Sequence, residues 1–309
     1  MIKKTIQIIG IVSLLFISRV ELNAQQHVQF THYMYNNLSI NPAYAGSHEA
    51  LNVTGIYRTQ WVGLEGSPNT ANIYAHTPIG DALGVGFSFV NDKIGPISYS
   101  SPNLSLSYAI KLKNGLKLAF GASAKLNHYQ GDLTILQATD GGDNFLATAP
   151  ESTNELNFGA GTYIYSDNYY VGFSVPDLLT DRIDNLYPGT TNEILQKHYY
   201  VIAGAIFDIA DGLKLKPSAT YKFTNNAPSS FELSGQFLLK DKLWLGGMMR
   251  VKDAVGILVG YQFNDQLKAG YSYDFTTSNL QKVNSGSHEL FISYDFVYRN
   301  KKITSPRYF

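Results

Sequence analysis

The chain has 309 residues, 16% of them charged and 13% aromatic, with 24 basic residues balancing 24 acidic ones and no cysteine. Balanced charge argues against nucleic-acid binding, which needs a basic face. The lack of cysteine excludes a disulfide scaffold, Cys-ligated zinc, an iron–sulfur cluster and a Cys nucleophile. In chain order, Lys3 and Lys4 precede an apolar run from Ile6 to Ile17 and a stretch ending Leu22-Asn23-Ala24. These are the parts of a secretory signal peptide over residues 1–24. The run is shorter than the ~20 residues that cross a bilayer as a helix, and no cysteine follows it to carry a lipid. The expected mature chain starts at Gln25 and carries 21 basic against 23 acidic residues.

Residues 25–49 form a leader of different character. It is turn-rich at Asn41-Pro42 and dense in Tyr, Met and Phe, as in Tyr33-Met34-Tyr35. A disordered linker is poor in such residues, so the leader is expected to pack at the periplasmic mouth or in the lumen of a barrel formed by residues 50–298.

Residues 50–298 settle into one rhythm of short alternating segments separated by turn signals. In 267–275, Leu267, Ala269, Tyr271, Tyr273 and Phe275 share one face, and Lys268, Gly270, Ser272 and Asp274 the other. Leu290, Ile292, Tyr294, Phe296 and Tyr298 likewise alternate with Glu289, Ser293 and Asp295. About 14 segments are predicted: 51–62, 68–77, 82–91, 99–111, 115–128, 155–165, 169–175, 197–208, 212–224, 229–240, 242–252, 254–264, 266–276 and 286–298. Pro217 cannot donate to a ladder, so its strand is expected to start later or carry a bulge.

Tight hairpin turns are predicted at Lys113-Asn114-Gly115, Asp167-Asn168, Asp211-Gly212, Lys240-Asp241 and Asn264-Asp265. Long connections over 128–154, 176–196 and 277–285 fall between them. Short and long ends therefore sort to opposite rims, as in an outer-membrane barrel. A soluble sandwich shares the alternation but has no reason to sort its loops. The expected fold is all-β, a transmembrane antiparallel β-barrel of about 14 strands, with residues 299–309 as a tail. Tyr and Phe at segment ends fit aromatic girdles as well as ordinary core. Polar faces turned inward place Lys117, Lys125, Lys214, Lys216, Lys222 and Lys268 in the lumen, either as a solvated lining or as an anion-favouring one.

No catalytic pattern stands out. The seven histidines are scattered, with none at the i, i+4 spacing of a zinc helix. There is no G-x-S-x-G elbow, and Gly84-Val85-Gly86 lacks the third glycine and the helix of a dinucleotide loop. Asp140-Gly141-Gly142-Asp143 has carboxylates suited to calcium but reads as a plain turn. The expectation is a protein that is not an enzyme, with no cofactor and no metal. A barrel-wall hydrolase stays open, because Ser, His and a carboxylate need not be sequence neighbours.

Several motifs resemble one family. They are Gln29-Phe30-Thr31-His32-Tyr33-Met34 with Asn41-Pro42-Ala43-Tyr44-Ala45-Gly46, then Tyr57-Arg58-Thr59-Gln60-Trp61-Val62-Gly63 followed by Gly66-Ser67-Pro68. Gly84-x-Gly86, Asn91-Asp92-Lys93-Ile94-Gly95-Pro96 and the ending Ser305-Pro306-Arg307-Tyr308-Phe309 continue them. Together they resemble the PorP/SprF outer-membrane proteins of Bacteroidetes, over essentially the whole mature chain.

The resemblance implies an integral outer-membrane barrel working with the type IX secretion system, in protein secretion, gliding motility and adhesin anchoring. It implies one of two roles. One is a dedicated accessory that helps a secreted cargo with a type B C-terminal domain to be exported and held at the surface. The other is a core component contacting the periplasmic apparatus. The physics alone suggests a third reading, a small-solute channel. The implied partners are the cargo, periplasmic apparatus proteins and outer-membrane lipid, with no nucleic acid. The binding residues the family motifs point to are Asn41, Pro42, Ala43, Tyr44, Gly46, Arg58 and Trp61, the last two also readable as rim residues that seat the barrel. In the long loops, Ile135, Phe145, Leu186, Tyr187 and Ile194 offer an apolar contact patch.

Overall fold

The computed structural model describes residues 28–132, 134, 151–180, 182–183, 193–194, 196–225 and 227–296. The signal peptide expected over 1–24, the tail expected over 299–309 and the turn expected at Asp140–Asp143 lie outside the described residues. So do Ile135, Phe145, Leu186, Tyr187 and the side chain of Ile194.

The strands are β1 (Leu51–Thr59), β2 (Asn69–Ile79), β3 (Leu83–Ile94), β4 (Ile97–Lys111), β5 (Lys117–Gly131), β6 (Glu151–Tyr165) and β7 (Tyr169–Val175). The second half comprises β8 (Tyr199–Ala205, continued by Phe207–Ala210), β9 (Leu213–Thr224), β10 (Ala227–Leu239), β11 (Leu243–Arg250), β12 (Ala254–Gln262), β13 (Leu267–Thr276) and β14 (Ser287–Phe296). Each pairs antiparallel with its chain neighbours, and β1 pairs with β14 from Leu51↔Phe296 to Thr59↔His288. The result is a closed 14-strand barrel. Closure leaves no unpaired edge, the condition for a sheet to cross hydrocarbon.

The faces are inverted relative to a soluble sheet. On β13, Ser272 and Asp274 are buried while Tyr271 and Phe275 are exposed. On β4, Ser105 and Ser107 point in while Leu104 and Leu106, 65% and 64% exposed, point out. An apolar exterior around a polar interior is stable only when the outer solvent is lipid. Exposed aromatics sit near both rims: Tyr108, Tyr261 and Phe296 at one, Tyr57, Phe231 and Phe275 at the other. They occupy the positions of interfacial girdles.

The connections sort by rim. One rim carries 80–82, 112–116, 166–168, 211–212, 240–242 and 263–266, together with the start of β1 and the end of β14. The opposite rim carries 60–68, 132–150, 176–198 and 277–286, with three tight turns between them. At 240–242 both Lys240 and Asp241 have positive φ, 50° and 52°, the type I′ geometry whose twist matches the flanking strands.

Two expectations are corrected. The connection placed at 128–154 is shorter, because β5 and β6 stay paired out to Gly131↔Glu151. Pro217 neither delays β9 nor bulges it. Instead the β8–β9 ladder lapses at Ala205–Ile206, opposite Lys216–Pro217, and resumes in unchanged register at Phe207↔Leu215. A missing N–H is harmless where the partner strand makes no ladder bond.

Candidate functional site

The inward-facing wall is polar, and residues 28–50 make their contacts with it. Their first and last residues reach opposite ends of the wall. Gln60, just past β1 at the long-connection rim, donates to the Gln29 carbonyl (3.5 Å). Thr31 and His32 meet Arg58, Asp274 and Glu289, at the same end of β1, β13 and β14. Tyr33 and Tyr35 reach mid-wall, to Ser218 on β9 (3.2 Å) and Gln236 on β10 (2.9 Å). Asn41 donates to the Thr162 carbonyl (3.0 Å), Ser107 to that of Ala45 (2.6 Å), and the Gly46 N–H to His76 Nδ1 (3.1 Å), all towards the short-turn rim.

Near the long-connection rim lies a buried ionic cluster. Arg58 Nη2 donates to Asp274 Oδ2 (2.8 Å), and Nη1 lies 3.3 Å from Glu289 Oε2. The Thr31 hydroxyl accepts from Arg58 Nη1 and donates to Asp274 Oδ2, both at 2.6 Å. Glu289 also accepts from the backbone N–H groups of Thr31 (2.8 Å) and His32 (2.7 Å), and lies 2.7 Å from His32 Nδ1. Alongside, Arg250 pairs with Glu232 at 2.6 Å and Asp253 at 3.2 Å. Arg58, only 2% exposed, is the largest fully buried side chain described. Such a cluster is specified by geometry. Removing one partner leaves an uncompensated charge, at about 3–5 kcal/mol.

Below it the leader's aromatics pack on the wall. Tyr35 stacks on Phe291 (ring centroids 4.8 Å) and lies beneath Lys216 Nζ, 4.3 Å from its ring. An ammonium over a ring face is attracted by the ring's negative face. Lys125, Lys216, Lys222 and Lys268 are all buried on the inner face, as the alternation predicts, and Lys125 pairs with Asp177 at 2.6 Å. Lys117 and Lys214 are half-buried at the short-turn rim.

Towards the short-turn rim the Asn41–Gly46 motif forms a compact turn. Asn41 Oδ1 accepts from the Ala43 N–H (3.0 Å) and caps a 3-10 turn over Pro42–Tyr44, whose proline starts the turn without losing a bond. The Tyr44 hydroxyl meets His48 Nε2 at 3.0 Å. Gly46 holds φ +71 against the backbone of Gly84, where a side chain is both strained and excluded. A cavity of about 300 Å³ opens beside it, lined by Gly46, His48, Gly84, Ser107, Lys111 and Lys117 among others.

The predicted binding residues thus fall into two places. Asn41, Pro42, Ala43, Tyr44 and Gly46 stand together near the short-turn rim. Arg58 stands in the ionic cluster, and half-buried Trp61 beyond it at the long-connection rim, its backbone N–H donating to Ser287 Oγ (3.2 Å). The sequence reading missed Thr31, His32, Asp274, Glu289, Glu232 and Arg250 as a group. Thr31 and His32 stood in a family motif with no partner named for them, and the signal for the other four was only a charge on the inward face of separate strands. Among the described residues no His, Asp and Glu group is placed to hold a metal.

A closed sheet with an apolar exterior, aromatic rims and sorted connections defines an outer-membrane β-barrel. Among solved structures the chain is similar to the CymD monoaromatic hydrocarbon channel, at 9% identity and TM-score 0.51, over 86% of this chain and 94% of that one. It is also similar to Omp33 of Acinetobacter baumannii, at 10% identity and TM-score 0.48, over 81% and 100% of the two chains. A Pseudomonas aeruginosa FadL homologue gives 12% and 0.48, over 83% and 93%. These likenesses speak to fold alone. No curated protein matches the sequence. The family model for the type IX secretion system membrane protein PorP/SprF matches residues 22–294. The chain belongs to this family, and its place is the outer membrane.

Proposed function

We propose that the protein acts without catalysis, as an accessory of type IX secretion that helps export a cargo with a type B C-terminal domain and hold it at the cell surface. The observation that carries this reading is the use of the barrel's interior. In this type IX barrel the chain's own residues 30–46 occupy the inner face, and the long connections gather on one rim. A solute channel needs an open lumen. A holding protein needs a rigid collar with an adaptable outer rim, because loops on a fixed scaffold are where recognition residues sit. The leader closes the lumen in this reading, and the long connections grip the cargo.

A second reading, a core component contacting the periplasmic apparatus, is favoured by the cavity at the short-turn rim between His48 and Lys117. Mass spectrometry of the proteins that co-purify with the tagged barrel, gently extracted from its native membrane, separates the two. A large secreted protein with a type IX C-terminal domain near one to one supports the accessory role. Periplasmic apparatus proteins without cargo move the assignment to the core component. Deleting 134–149, which spares the β5–β6 ladder, should abolish cargo retention while the barrel still inserts, and retention after that deletion counts against the outer-loop part.

A further inference from the structure

We infer that the cavity at the short-turn rim is a binding site for an acidic peptide segment presented from the periplasm, with Lys111 and Lys117 each taking one of its carboxylates. The occupant is a chain end or extended stretch that carries at least two neighbouring carboxylates.

The basic side of the site comes from one turn. Residues 111–117 read Lys-Leu-Lys-Asn-Gly-Leu-Lys, three lysines with no acidic residue among them. Lys111 ends β4 and Lys117 starts β5, and the two stand directly opposite each other in the ladder. Like charges so placed repel, so the arrangement weakens the barrel rather than supporting it. Both lysines fall on the inward alternation, with Ser107 and Ala109 on β4 and with Ala119 and Gly121 on β5, and both line the cavity. They face the mouth of the lumen and not the lipid, so reaching for headgroups does not account for them. Lys117 Nζ lies 5.5 Å from the centroid of the Tyr165 ring and makes no ion pair among the described residues. Lys111 Nζ meets Asp81 at 3.0 Å, but these side chains are 60% and 88% exposed. A pair so open to solvent is worth little and is readily exchanged for a ligand.

The rest of the lining fits a peptide better than a bare ion. At about 300 Å³ the cavity sits at the lower end of ligand pockets, so it admits a chain end or a few side chains and no folded domain. Glu49 and Asp81 also line it, and carboxylates accept hydrogen bonds. A peptide brings carboxylates for the lysines and backbone N–H groups for these acids, whereas inorganic phosphate answers mainly the lysines. Pro78, Ala82, Leu83 and Tyr165 add carbon surface for the chain to lie on. Short turns of outer-membrane barrels face the periplasm, which sets the side from which the segment comes. The inference deepens the core-component reading and rests on it for the partner, while the site itself is tested on the purified barrel, so that co-purification can fail and binding still hold.

The purified full chain in detergent is titrated into a fluorescently labelled hexaglutamate peptide, and binding is read by anisotropy. The expected result is saturable binding that weakens with salt. Lys111→Gln combined with Lys117→Gln should weaken it about tenfold or more. Lys242→Gln, at an exposed lysine of the 240–242 turn outside the cavity, should leave it unchanged. Asp81→Asn should tighten binding severalfold by releasing Lys111, a gain that a purely structural role of the lysines does not give. Heat-modifiable migration on gels confirms that each variant is folded. Absence of saturable binding, or equal binding by the double variant, overturns the inference. So does displacement of the peptide by inorganic phosphate at equal concentration, which would leave a site for small anions only. Lysine-dependent binding to phosphatidylglycerol vesicles in place of the peptide also overturns it and assigns the turn to the membrane.

Discussion

Gly121 of β5 lies flush against the backbone of Ala43, close enough that a Cβ on Gly121 would overlap the Pro42–Ala43 peptide. This relationship explains why the wall accepts the Asn41–Gly46 turn at all. Gly84 leaves a second gap of the same kind against the Ala45 carbonyl. The glycines of β3 and β5 are not there for strand stability, which they weaken. They make a groove shaped to one backbone.

Filling that groove should expel the turn. Gly121→Val is expected to leave the barrel inserted and heat-modifiable on gels, because the outer face and the ladder are untouched. Added chymotrypsin should then cut the N-terminal segment at Phe30, Tyr33 and Tyr35, which the native protein buries. A segment as resistant as native would mean that the close approach of Gly121 to Ala43 does not hold the turn.

Arg58 stands between Asp274 and Glu289, with all three nearly solvent-free. Arg58→Leu leaves two buried carboxylates facing each other. The expected loss is about 3–5 kcal/mol of the stability with which the segment is held, read as a lower midpoint for protease cleavage at Thr31–Tyr35 in a denaturant series. Arg58→Lys should recover only part of it, since an ammonium cannot span two carboxylates as a guanidinium fork does. Full recovery by lysine would reduce the cluster to a matter of net charge.

Planar bilayers test the reading that the leader closes the lumen. The purified protein should show no stable conductance, and a variant lacking residues 28–46 should conduct steadily. Stable conductance of the intact protein would put the solute-channel reading ahead of the accessory one.

The lipid face is testable one residue at a time. Leu106 projects outward near the middle of β4, with its neighbour Ser105 buried inside. Leu106→Arg places a charge in hydrocarbon and should lower stability by about 2–4 kcal/mol, as for a midplane residue. The same change at exposed Gln281, in the connection 277–286, should have little effect. Chemical unfolding in lipid vesicles measures both. Equal losses would argue that Leu106 does not face lipid.

The barrel was legible in the amino-acid pattern. A period of two along some ten residues at a time, tight turns such as Lys240-Asp241 and the sorting of long connections to one rim are all local facts. Register follows from them, because a one-residue slip would turn Tyr271 and Phe275 into the lumen and Ser272 and Asp274 into lipid. The Asn41–Gly46 turn was legible for the same reason, since Asn41 caps and Pro42 starts a turn within a few residues.

The contacts between the leader and the inner wall came only with closure of the sheet. Thr31, Arg58, Asp274 and Glu289 are widely separated along the chain and meet only because closure brings β1 beside β14 and the leader beneath them. No local period marks a lone carboxylate as a latch rather than as lumen lining. The direction of the leader was likewise invisible. A short aromatic segment carries no signal of which rim it leaves by until glycine gaps on β3 and β5 and an ionic pair on β1 and β14 fix its two ends.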